Sequence, residues 1–210
     1  CKKLLTLMIL FCFFVSGVSL KTYAEEPSLS AQSAVVICAD TGKIIFGKNE
    51  REPRPMASTT KIMTALLTLE AAQNEDFNVT ITDKMVPVEG SSMYLRVGQV
   101  LPLSSLAKGM LTVSGNDAAN SAAITLGGSV AGFVDLMNKK AKQIGMLDTY
   151  FETPSGLDKG NHHSTAYDMA LLGAYALENR AFFDISSKKR VEVPFTEPNE
   201  IRTLYNENRM

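Results

Sequence analysis

The sequence has little cysteine, no excess of either charge and no apolar run of membrane-spanning length. Three cysteines occur in 210 residues, and two of them, Cys1 and Cys12, fall in an amino-terminal segment that looks like a leader. Cys38 is then alone in the remainder, which excludes an internal disulfide framework. It closes the run Ala34-Val35-Val36-Ile37-Cys38, which reads as a buried strand where a thiol serves as a small apolar filler. Lys+Arg number 21 against 22 Asp+Glu, a formal charge of -1. Such a balance lacks the footprint of a nucleic-acid binder, and no nucleic acid is expected as partner. The longest basic cluster, Lys188-Lys189-Arg190, reads as the solvated start of a strand. Internal repeats and low-complexity tracts are absent, and 45% hydrophobic with 20% charged residues suits one well-buried domain.

What is present begins with an address. Lys2-Lys3 precede an apolar run over residues 4–15, and a stretch ending Thr22-Tyr23-Ala24 leads into Glu25-Glu26. This is the pattern of a secretory signal peptide over residues 1–24, with the domain occupying residues 25–210 and the protein exported. The run is shorter than the ~20 residues of a membrane span, and Ala24 suits a signal-peptidase cut; an uncleaved anchor is the alternative. Cys12 follows Leu10-Phe11 without the small residues of a lipoprotein site, so no lipidation is expected.

Apolar β runs at residues 33–39 and 43–47, parted by Asp40-Thr41-Gly42, predict a hairpin. Residues 58–72 are apolar on most of a helical circumference and predict a buried helix. Residues 77–99 mix short alternating pieces with turn residues and read as an exposed excursion. Helices are expected at 104–113, 117–126, 130–144 and 165–177, several closed by glycine, and a strand at 191–193. Strands first, helices in the middle and a strand last predict α/β or α+β layering.

Three Ser-x-x-Lys patterns occur, about as weak individually as chance would supply. Ser105/Lys108 lies inside a helix and Ser186/Lys189 opens the basic cluster, neither with a second polar motif to complete a site. Ser58-Thr59-Thr60-Lys61 opens the most apolar helix just after Pro53 and Pro55. Residues three apart share a helix face, so the Lys61 amine can approach the Ser58 hydroxyl as base to nucleophile. No acidic residue shares that face until Glu70, and a desolvated lysine has a lowered pKa. A capping serine beside a lysine whose stem lies on apolar surface fits the same four residues. Ser114-Gly115-Asn116, in a break between helices, offers a hydroxyl to relay a proton and a carboxamide to hold a peptide.

Pro55-Met56-Ala57-Ser58-Thr59-Thr60-Lys61-Ile62-Met63 followed by Ser114-Gly115-Asn116-Asp117-Ala118 resembles the low-molecular-weight penicillin-binding D-alanyl-D-alanine carboxypeptidases. Ala39-Asp40-Thr41-Gly42, Gly90-Ser91-Ser92-Met93, Ser155-Gly156-Leu157-Asp158 and Ser164-Thr165-Ala166-Tyr167-Asp168-Met169-Ala170 extend the resemblance in order over nearly the whole chain. It implies a β-lactamase/transpeptidase-like fold, an antiparallel sheet with a helical cluster. It implies catalytic Ser58 (nucleophile), Lys61 (base) and Ser114 (relay), with Asn116 binding substrate. The implied partners are peptidoglycan muropeptides and β-lactam antibiotics, with no cofactor or metal. The family's third motif, K-T-G, is absent from this sequence; Ile201-Arg202-Thr203-Leu204-Tyr205-Asn206 resembles the segment before it. That strand is expected about one to two dozen residues beyond residue 210. The chain is thus expected to be an incomplete domain, inactive as given, with the C-terminal strands and any segment for peripheral membrane attachment further on. The alternatives are a serine β-lactamase-like hydrolase, which would need S-D-N and a deacylating Glu, and a non-catalytic penicillin-binding sensor. Asp40-Thr41-Gly42 as half of an aspartic protease, and zinc on His162, His163 and Asp158, are weaker readings.

Overall fold

The computed structural model describes residues 28–157 and 160–206. The expected signal peptide and its cut at Ala24 lie outside the described residues, as does Asp158. Near the amino terminus of that range, Asp40-Thr41-Gly42 closes an antiparallel hairpin of β1 (Ala34–Ile37) and β2 (Ile44–Lys48). The Thr41 and Gly42 N–H groups both donate to the Cys38 carbonyl, and Gly42 takes φ +67, where a side chain is disfavoured. Tyr167 Oη donates to the Gly42 carbonyl, so these residues are engaged as a turn. The strand is less buried than its apolar run suggests. Val36 is 53% exposed and Cys38, just past the strand, is half-buried, because a two-stranded pair leaves one face open.

Among the described residues six α-helices form the centre: α1 (Lys61–Asn74), α2 (Leu103–Val113), α3 (Asn116–Gly127), α4 (Val130–Ile144), α5 (Ala166–Glu178) and α6 (Arg180–Ser186). Their ends follow local chemistry. Ser129 Oγ, Thr165 Oγ1 and Asn179 Oδ1 accept N–H groups of the first turns of α4, α5 and α6. Gly145, at φ +91, stops α4. At α2 the cap is remote: the Asp76 carboxylate accepts both the N–H and the hydroxyl of Ser104. Helix α1 packs against α2 and α3, and its Met63, Leu66 and Leu69 share one buried core with Leu106, Met110 and the alanines 118, 119, 122 and 123. Small side chains on α3 let the helices approach closely, and each buried leucine contributes about 1.5–3 kcal/mol. No helix among the described residues is long and apolar enough to cross a membrane.

Two more antiparallel pairs flank the helices, β3 (Asn78–Thr80) with β4 (Val100–Pro102) and β5 (Arg190–Phe195) with β6 (Glu200–Tyr205). Val191, Val193 and Phe195 alternate inward, and β5 packs on α2. Strand β6 and helix α6 were not expected from the sequence. Residues 77–99 depart from the expected exposed excursion: Val79, Ile81, Met85, Met93 and Leu95 are core residues, so turn-rich sequence here covers the helices.

Candidate active site

Ser58 does not lie on an α-helix as expected but on a single 3₁₀ turn, Ala57–Thr60, that runs into α1. The turn is fixed at its start, where the Thr59 N–H and hydroxyl both donate to the Met56 carbonyl and Ala57 takes φ +44. In 3₁₀ geometry residues three apart eclipse. The Lys61 Nζ accordingly lies 3.1 Å from Ser58 Oγ, with Ser58 exposed and Lys61 only 2% exposed. The amine also donates to the Ser155 carbonyl at 2.8 Å. Neither contact is a carboxylate, and burial pushes the Lys61 pKa down to about 8. The lysine therefore does not carry its charge to solvent, which removes the capping-and-snorkelling alternative.

The segment carrying Ser155 is strapped to α1. Thr64 Oγ1 donates to the Pro154 carbonyl at 2.6 Å, and Gly156 N–H donates to Thr153 Oγ1. Gly156 has φ +84, and a Cβ there would lie 1.8 Å from the Ala57 carbonyl oxygen, so only glycine permits this approach. His162 Nδ1 accepts the Glu152 N–H, which leaves the proton on Nε2, 2.8 Å from Thr60 Oγ1. His163 Nδ1 instead meets the Asn161 carbonyl. The two rings thus serve different backbone segments, an arrangement unlike a shared metal pair.

Ser114 and Asn116 flank the α2–α3 break. Ser114 is left-handed, φ 54, and its buried hydroxyl has no hydrogen-bond partner. Asn116 is 4% exposed. Its N–H donates to the Ser91 carbonyl at 2.7 Å and its Nδ2 to the Glu89 carbonyl, while its Oδ1 is buried without a partner. Among the described residues no hydrogen bond joins Ser114 or Asn116 to Ser58 or Lys61. The elements that carry the two pairs, α1 and the α2–α3 helices, pack against one another.

Sequence reasoning missed the groups that hold this arrangement. Asp117, 1% exposed, accepts the Met93 and Leu95 N–H groups and the Ser92 hydroxyl at 2.6–2.9 Å, fixing residues 92–95 beside Asn116. The Ser155 carbonyl is a main-chain group without a sequence signature; Gly156 and Asp117 fall within motifs that carry the family resemblance, but their contacts have no local pattern. The other Ser-x-x-Lys pairs are not brought together. Lys108 Nζ donates to the Glu192 carbonyl while Ser105 Oγ is buried without partner, and Ser186 Oγ donates to the Phe183 carbonyl.

Comparison with known proteins identifies the family. The D-alanyl-D-alanine carboxypeptidase family profile matches residues 20–210. D-alanyl-D-alanine carboxypeptidase DacF of Bacillus subtilis is 39% identical over 160 residues, covering 73% of this chain and 41% of the relative. DacC of Escherichia coli is 33% identical over 214 residues, covering 95% of this chain and 53% of the relative. The chain spans about half the length of these curated relatives. A crystal structure of the Mycobacterium tuberculosis H37Rv D-alanyl-D-alanine carboxypeptidase superposes with TM-score 0.82 at 29% identity, over 91% of this chain and 72% of that one. The Francisella tularensis DacD structure gives 0.77 at 34%, over 86% and 45%. The mixed fold of helices and antiparallel strands is the one these enzymes share. With the profile match extending over nearly all of the sequence, the chain belongs to the D-alanyl-D-alanine carboxypeptidase family.

Proposed function

We propose that the protein is an exported serine D-alanyl-D-alanine carboxypeptidase that trims peptidoglycan stem peptides and is acylated by penicillins. The observation that carries the reading is the buried Lys61 amine, 3.1 Å from Ser58 Oγ, with its pKa lowered to about 8 and no carboxylate partner. A neutral amine keeps one N–H on the Ser155 carbonyl and turns its lone pair to the Ser58 hydroxyl. Ser58 Oγ then attacks the carbonyl carbon of the penultimate D-Ala, its proton passing to Lys61 Nζ. As the tetrahedral centre collapses, the C–N bond breaks and the leaving nitrogen receives a proton by way of Ser114. Terminal D-Ala departs and an ester remains on Ser58. Water attacks that ester, giving the shortened acid and restoring the serine. Asn116 holds the peptide backbone, and the Ser58 N–H supplies one oxyanion donor. In a penicillin the bond that breaks is the ring amide, and the acyl group stays on Ser58.

Export after removal of residues 1–24, and peripheral attachment at the membrane, belong to the same proposal. The test uses protein made from the complete reading frame. D-Ala release from a synthetic peptide ending in D-Ala-D-Ala, together with stable labelling by a fluorescent penicillin, is the expected result. Labelling without release would mark a sensor, and rapid penicillin turnover a β-lactamase-like hydrolase.

A further inference from the structure

Residues 92–99 have an irregular backbone that is almost fully bonded. Met93 and Leu95 donate their N–H groups to Asp117, Tyr94 donates to Ser92 Oγ, and Arg96 donates to Gln99 Oε1. The Met93 and Tyr94 carbonyls accept from Arg202 of β6, at 2.9 and 3.5 Å, and the Arg96 carbonyl accepts from the Gln99 N–H. Held this way, Tyr94 sits at φ 61, a left-handed conformation that costs a side-chain-bearing residue on the order of 1 kcal/mol or more. Its ring gains no burial in return, being 78% exposed. Strain kept without packing points to a role in binding.

The side chains of this segment border a cavity of about 410 Å³ lined by Met93, Tyr94, Arg96, Val113, Arg202 and Leu204. Val113 immediately precedes Ser114, and the same segment continues back to Ser91 and Glu89, whose carbonyls hold Asn116. The two arginines differ. Arg202 is spent on main-chain carbonyls, on Glu200 at 3.1 Å and on the Phe195 ring. The exposed Arg96 guanidinium has neither hydrogen-bond nor ion-pair partner among the described residues.

We infer that this cavity is a subsite for a carboxylate carried by the acyl-donor peptide, with Arg96 as its charge partner and the Tyr94 ring as an apolar wall. The inference rests on the proposed peptidase reading and adds a preference to it. A planar guanidinium on a bonded backbone can take a carboxylate through two parallel hydrogen bonds while losing little freedom. The backbone that carries both side chains is already held before substrate arrives. Arg96 acts through binding and takes no part in bond making.

The test compares two D-Ala-D-Ala peptides that differ only in one side-chain carboxylate, free in the first and amidated in the second. The complete protein should release D-Ala from both, with a KM about tenfold lower for the free acid. Arg96→Gln should abolish that preference with kcat for the acid unchanged, and Arg96→Glu should invert it. Tyr94→Gly suits the left-handed backbone, so it should keep thermal stability while raising KM for both peptides. A protein that releases D-Ala equally from both peptides, or an Arg96→Glu variant with the original preference, overturns the subsite alone. No release from either peptide overturns the peptidase reading and the subsite with it. Loss of stability with unchanged KM in Tyr94→Gly would make Tyr94 a packing residue and remove it from the subsite.

Discussion

If Lys61 is the base, acylation must follow the neutral fraction of its amine. With a pKa of about 8, about one amine in ten is neutral at pH 7, against about three in ten thousand for an ordinary lysine at 10.5. Burial thus raises the competent fraction about 300-fold. The second-order rate of penicillin acylation should climb about tenfold per pH unit between pH 6 and 7.5 and level off above about 8. The same burial weighs on folding. Below pH 8 the native state holds a desolvated ammonium, an expense of about 3 kcal/mol relative to the unfolded chain. The folded pKa lies below the unfolded one, so the unfolded chain binds more protons from about 8 to 10.5, and stability rises with pH through that window. Lys61→Arg keeps a charge that cannot be removed near neutrality, so acylation should fall by orders of magnitude and lose its pH slope. Stopped-time labelling with a fluorescent penicillin, read beside thermal unfolding, checks both. A rate flat from pH 6 to 9, or near wild-type labelling by a folded Lys61→Arg protein, would refute the base role.

Peptide mapping of the penicillin adduct should place it on Ser58, with nothing on Ser105 or Ser186, whose lysines are held elsewhere or lack a bond to them. Gly156→Ala puts a Cβ 1.8 Å from the Ala57 carbonyl at φ +84, and should cost roughly 2–4 kcal/mol in chemical denaturation while slowing acylation. An alanine variant of wild-type stability would show that the segment can yield. Asp117→Ala strips acceptors from two buried N–H groups and a hydroxyl, a loss of about 3 kcal/mol or more, and should lower acylation with it; unchanged midpoints would contradict the buried network.

The Ser58–Lys61 contact was legible because it is written in side chains at fixed spacing. Ser58 and Lys61 need only the three-residue interval, and Ser114-Gly115-Asn116 only a helix break on either side. The helices too were readable from apolar period and caps, with α4 falling on its expected residues 130–144. What stayed hidden is main-chain or long-range. The Ser155 carbonyl on Lys61 joins residues 94 positions apart, and no local pattern encodes it. Asp117 resembles a helix first-turn acid until residues 92–95 fold over it, 22 to 25 positions away. Residues 77–99 looked exposed because turn residues break the apolar ones into short pieces, yet Ile81 and Met93 are 1% exposed. Strand β6 pairs Arg202 with Val193 and presents mostly exposed side chains, so it lacks the alternation that marked β5.

The Asp117 contacts make residues 92–95 sensitive to length more than to composition. Two N–H groups spaced by one residue and a hydroxyl one step earlier converge on a single carboxylate, a match in which the Tyr94 side chain takes no part. Adding or deleting one residue between Ser92 and Leu95 would carry a donor off its oxygen, as a one-residue slip does in a paired strand. Surface loops ordinarily absorb such changes between relatives. This one is bound to a fixed count, so within the family its span should vary less than its residues do.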